Sequence, residues 1–274
     1  LPEEVIKLIE SKIKPEDMHF PRTKLICFEN TYNGKALSPD YMTTAANVAS
    51  KHGLSSHLDG ARLMNAAIAY GCSPKDLTRG FTTVSLCLSK GLGAPVGSVL
   101  TGKSDFIKEA RRARKMLGGG MRQAGILAAC GLVAVQTQID RLEEDHRLAS
   151  RLATELAQIP EVKTTPEGAN TNMIFIEVPE ADRDPLKEFL KQNGILIGGR
   201  PPTFRLVLHR DIKEKDIPMI ISAFSKYFPN CEIYCLDINI SNFKYYSKRI
   251  HVFSLNSSNP KMVSKFIKKI NNKE

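Results

Sequence analysis

The chain has 274 residues, of which 42% are hydrophobic and 25% charged, and a formal net charge of +10. That is apolar material for one large domain or two smaller ones. No run reaches the 18 or more apolar residues of a membrane-spanning helix, and residues 1–20 carry charges where a signal segment would be apolar, so a soluble, unsecreted, cytoplasmic protein is expected. Residues 231–274 hold eight Lys/Arg against three Asp/Glu, leaving +5 spread over the first 230, which reads as a solvated surface and argues against nucleic acid as a partner.

In chain order, Leu1, Val5, Leu8 and Ile9 fall at helical spacing with no initiator Met before them, so the text reads as a fragment that starts inside an element. Strand-like runs follow at 23–28 and 53–58, with helices at 40–51 and 61–69. A buried strand is expected at 81–88 and a helix at 103–116. Gly118, Gly119 and Gly120 end that helix and open another. A long charged helix at about 139–158 leads to a strand at 172–178, a helix at 184–192, strands near Ile195 and Phe204, and a last helix at 212–228. From Cys231 the text turns rich in Asn, Ser, Lys and Tyr with no period, and no element is assigned to it. Alternation of this kind predicts an α/β fold with a mostly parallel sheet covered by helices, then a smaller α+β domain. The expected division is 1–138, 139–230 and a basic tail at 231–274. The six cysteines (Cys27, Cys72, Cys87, Cys130, Cys231, Cys235) are scattered without zinc-site spacing and are expected as reduced thiols.

Two segments carry most of the chemistry. In Ser85-Leu86-Cys87-Leu88-Ser89-Lys90-Gly91-Leu92-Gly93-Ala94-Pro95-Val96-Gly97-Ser98, a buried strand delivers one lysine into a loop rich in glycine. Partial burial there would disfavour the ammonium and prepare Lys90 for Schiff-base chemistry; a surface lysine beside a tight turn is the plain alternative. In His57-Leu58-Asp59-Gly60-Ala61-Arg62, a carboxylate stands just past a strand and ahead of a helix, where ligands of α/β sheets gather, although Asp is also a common helix N-cap. Arg122 follows the three glycines near a helix start, a favourable place to hold an anion, with Lys115 as a weaker companion.

The runs HLDGARLMNAAIAYG, SLCLSKGLGAPVGSVLTGKSDFI and RKMLGGGMRQAGILAA together resemble the threonine aldolases, in the aspartate-aminotransferase-like (fold type I) class of pyridoxal-phosphate enzymes. The likeness extends more thinly upstream through Lys14 to Phe20 and Glu29-Asn30-Thr31, and downstream from Asn170-Thr171-Asn172 to Arg205-Leu206-Val207, covering about residues 1–230. It implies cleavage of L-threonine, L-allo-threonine and related 3-hydroxy amino acids into glycine and an aldehyde, with pyridoxal 5'-phosphate as cofactor. By the same likeness Lys90 anchors the cofactor, Asp59 meets its ring nitrogen and Arg62 supports its phenolate side or the charge balance. Arg205 grips the substrate carboxylate, Arg122 has an active-site or interface role, and His19 lies near the substrate hydroxyl. No metal is implied, and a homo-oligomer built as a dimer of dimers is.

Against the family pattern, an N-terminal portion of roughly a hundred residues is missing, Tyr32 stands where a histidine is usual, and residues from about 231 have no counterpart. Two rivals remain open: a lyase of the same fold that eliminates at Cβ, and a noncatalytic piece whose basic tail binds RNA or another acidic partner.

Overall fold

The computed structural model describes residues 3–164, 170–200, 202–228, 233–237 and 250–254. Helix α1, Glu3–Glu10, precedes the first strand, β1 (Leu25–Glu29). Helix α2 (Pro39–Lys51) starts where Ser38 accepts a hydrogen bond from the Tyr41 amide at 3.1 Å and Pro39 needs no donor of its own. It leads to β2 (Ser55–Asp59), α3 (Leu63–Tyr70), the short α4 (Pro74–Thr78) and β3 (Thr83–Cys87), then β4 (Ser98–Gly102), α5 (Ser104–Met116) and α6 (Gly125–Thr137). The order β1-β2-β3-β4 makes one sheet, parallel across its first two pairs and antiparallel between β3 and β4.

Alternation along these strands divides the sheet into two unlike faces. Phe28, Leu58, Val84 and Leu86 point to one side, where they pack with Met42, Leu63, Ala66 and Leu77 from the helices. Cys27 and Glu29, His57 and Asp59, Thr83 and Ser85 fall in register rows on the other side. The expected covering of helices therefore exists on one face, while Glu29 and Asp59 on the other are exposed. The reason is in the residue types: a polar row offers a helix nothing to bury.

Helix α7 (Leu142–Leu156) has Glu143, Glu144 and Asp145 in its first turn, where acids meet the helix dipole favourably. Beyond it, strands β5 (Lys163–Thr164), β6 (Met173–Glu177), β7 (Gly198–Arg200) and β8 (Thr203–Val207) form a second, antiparallel sheet in the order β5-β6-β8-β7. Leu148, Leu152, Ile174, Ile176, Leu186, Phe204 and Phe224 pack its core with α8 (Arg183–Gln192) and α9 (Ile217–Tyr227).

Several boundaries differ from expectation for physical reasons. The helix expected from 212 begins at Ile217, preceded by a single 3-10 turn at Glu214–Asp216, and Pro218 sits in its first turn, where its missing N–H is not needed. β4 and α4 were not expected; β4 is exposed along its whole length and has no alternating signal. The stretch from 231, to which the sequence assigns no element, contributes β9 (Ile233–Asp237) and β10 (Ile250–Ser254), paired in parallel; the rest of it lies outside the described residues. Among the described residues no helix is long and apolar enough to cross a membrane, and no cluster of His, Cys, Asp and Glu is suited to a metal.

Candidate active site

The carboxyl ends of β1 and β2 meet the middle of β3 in one row: Glu29 is the register partner of Asp59, and Asp59 of Ser85. The chain turns sharply after Asp59. Its side chain accepts from the Ala61 amide at 3.0 Å, its carbonyl accepts from the Asn30 amide at 3.0 Å, and the Gly60 amide donates to the Ser85 carbonyl at 2.9 Å. Residue 60 has to be glycine, since a Cβ would lie 2.8 Å from that backbone oxygen. Asp59 is thus the last residue of its strand and holds the turn, while α3 starts only at Leu63.

Lys90 stands three residues beyond the end of β3, in a loop closed by Leu88 N–H to Gly97 carbonyl (2.9 Å), Ala94 N–H to Leu88 carbonyl (3.0 Å) and Gly93 N–H to Lys90 carbonyl (2.9 Å). Gly93 takes φ +72°, a region that favours glycine, and the Arg210 side chain packs against it. The sequence expectation of a partly buried lysine is corrected here: Lys90 is exposed, as is Asp59. Their surroundings explain it, because they emerge on the polar, uncovered side of the sheet.

Arg62 is half-buried, and the charges of the site converge on it. Burial, then the like charge of Arg205, holds its guanidinium below the usual arginine value, while Glu29, Cys87 and Asp59 act in the opposite sense. Arg205 on β8 is exposed beside its register partner Phe175, so the second sheet brings a cation within electrostatic reach of the first. Burial pushes the Cys87 thiol up, but hydrogen bonds involving Ser89 and Ser98 and the positive charge of Lys90 outweigh this and leave it below the ordinary thiol value. Asp59, Arg62, Arg205 and Lys90 are so linked through shared neighbours, Lys90 by way of Cys87.

The other expected residues are placed differently. His19 lies on an exposed loop, where its Nδ1 is 2.9 Å from Asp17 Oδ1. Arg122 is exposed ahead of α6 and makes no hydrogen bond or ion pair among the described residues. Lys115 donates to the Gly120 carbonyl at 3.2 Å and thereby folds the glycine turn back on α5. Sequence reasoning passed over Glu29, Cys87 and His57, whose Nδ1 is 2.8 Å from Thr83 Oγ1. The alternation that puts them on the same face as Asp59 was the available signal.

An amine and a carboxylate leaving the ends of neighbouring parallel strands, with a guanidinium beside them and glycines at both turns, is a donor set that suits an aldehyde cofactor with a protonated ring nitrogen. The comparisons with known proteins agree on the class. A family model described as beta-eliminating lyase matches residues 5–179. A low specificity L-threonine aldolase of Escherichia coli is 45% identical over 219 residues, which are 80% of this chain and 65% of that protein. A threonine aldolase structure from Leishmania major superposes with TM-score 0.66 at 18% identity, over 81% of this chain and 66% of the other. A serine palmitoyltransferase from S. paucimobilis, solved with bound pyridoxal phosphate joined to myriocin, superposes with TM-score 0.60 at 16% identity, over 81% and 58%. The chain therefore spans a little under two thirds of these proteins.

Proposed function

The chain belongs to the beta-eliminating lyase family, and from that premise we propose that it supplies the reacting lysine, the acid and the arginines of a carbon–carbon lyase dependent on pyridoxal 5'-phosphate. Its substrates would be L-threonine, L-allo-threonine and related 3-hydroxy amino acids, and its products glycine and an aldehyde. The observation that carries the reading is the placement of Asp59 at the end of β2 and of Lys90 three residues past the end of the neighbouring parallel β3, with Arg62 within electrostatic reach of Asp59 and Arg205. The name of the Escherichia coli relative and the cofactor in the serine palmitoyltransferase support it.

Such a cofactor, when bound, would supply an electron sink for cleavage of the substrate's Cα–Cβ bond. Lys90 would supply the amine that holds it covalently. Asp59 would meet the ring nitrogen and favour its protonated form. Arg62 balances the local negative charge, and Arg205 offers the substrate carboxylate a planar, two-pronged donor that lysine matches poorly. The family likeness would assign the hydroxyl proton to His19 or a water and a further cation to Arg122; in the structure both are exposed, His19 paired with Asp17. Self-association as a dimer of dimers belongs to the same reading.

The direct test adds pyridoxal phosphate, records the visible band, reduces with borohydride and maps the modified residue. Modification of Lys90 is expected; modification elsewhere, or none, removes it from this role. The family description also favours a second reading, elimination at Cβ, and product analysis separates the two: glycine and an aldehyde for cleavage, ammonia and a keto acid for elimination.

A further inference from the structure

The lysine loop is gripped by a residue that lies fifty positions away. Arg141, immediately before α7, directs Nη1 and Nη2 to the two oxygens of Asp145 at 2.7 and 2.8 Å, and the same Nη2 donates to the Gly91 carbonyl at 3.2 Å. Asp145 is only 1% exposed, so its charge is compensated by this one guanidinium. Gly91 directly follows Lys90, and a Cβ there would lie 2.8 Å from Leu142, the neighbour of Arg141. Asn65 of α3 lies within 4 Å of the same Cβ position, and its Nδ2 is 3.0 Å from Nε2 of His146, next to Asp145. The start of α7 thus packs directly against the backbone that carries the lysine.

A fork locked on one side by a buried carboxylate can hold a carbonyl in one place. A free arginine could not. We propose that Arg141 and Asp145 are positioning residues for Lys90: the pair fixes the Gly91 carbonyl and so sets the direction in which the lysine leaves the end of β3. The inference deepens the functional reading above and rests on it for the meaning of Lys90.

Arg141→Ala would leave Asp145 as an uncompensated buried charge and endanger folding, so the informative variant is Arg141→Lys, which keeps the charge but lacks the second arm. In hydrogen–deuterium exchange of the full chain without cofactor, the Gly93 and Ala94 amides, which close the loop, should exchange roughly tenfold faster than in wild type, while those of β6 and β8 keep their protection. With pyridoxal phosphate and borohydride, a smaller fraction of Lys90 should be trapped, and the visible band should titrate at a pH shifted by about half a unit or more. Unchanged loop exchange overturns the proposal, as does an equal loss of protection across β6 and β8, which would make Arg141 a general stabiliser. So does a wild-type level of trapping with an unshifted band. Absence of trapping at Lys90 in the wild type would defeat the functional reading instead, and the exchange result alone would still decide whether the pair holds the loop.

Discussion

Arg62 lies in the turn after β2 and Arg205 on a strand of the second sheet, yet each lies within the other's field, and their surroundings differ. Arg62 is half-buried among Glu29, Asp59 and Cys87, whereas Arg205 is exposed on its strand. On the proposed reading, Arg205→Lys should raise KM for the amino acid about tenfold while leaving borohydride trapping of Lys90 unchanged, because a point charge would replace the two-pronged donor assigned to the substrate carboxylate. Asp59→Asn should leave trapping intact but lower the rate of cleavage by at least about a hundredfold, since a neutral amide no longer keeps the ring nitrogen protonated. Steady-state kinetics with L-threonine checks both. The turns that carry Lys90 and Asp59 were legible in the sequence because strand, glycine and candidate residue are contiguous there. Glu29 and Cys87 were not, because their membership depends on strand pairing.

At the scale of elements, the two turns after β2 and β3 do the positioning. Gly60 lets the β2 turn press against the Ser85 carbonyl, and the loop from Leu88 to Gly97 closes on its own backbone. Gly60→Ala must push β2 and β3 apart at the point where Asp59 and Ser85 are register partners. It should destabilise the chain by about 1–3 kcal/mol, read as a lower urea midpoint at unchanged m-value. The helices and the central strands were visible from periodicity. β4 was not, since an exposed edge partner has no alternation to detect.

Across the whole molecule, α6 is the element least satisfied by the chain's own packing. It is apolar around its full circumference, yet Ile126 is 78% and Leu132 58% exposed, and only Gly131 and Ala134 are buried. A helix of that composition is normally covered, which fits the proposed self-association. Replacing Ile126 and Leu132 together by Glu should lower the mass seen in sedimentation equilibrium, and an unchanged mass would place the contact elsewhere. The junction between the two sheets also predicts a pH dependence. Burial lowers the His146 pKa to about 4, against the smaller opposing effect of Asp145. Its folded form therefore binds protons less readily than the unfolded chain, so stability should be full above about pH 6.5 and fall as pH drops toward 4. The loss should be on the order of 2 kcal/mol once its partial contact with water is allowed for. Urea melts of wild type and His146→Leu across that range test it: the variant should lose the slope.

The sequence by itself determined the alternating architecture, the helices with strong apolar periodicity, and the Lys90 and Asp59 turns, because each is encoded within about a dozen consecutive residues. Only the tertiary structure decided which residues share a face and a field. The polar row of Glu29, Asp59 and Ser85, the approach of Arg205 to Arg62 and the hold of Arg141 on Gly91 all join segments far apart in the chain. Such contacts depend on strand register and helix packing, for which local spacing carries no information.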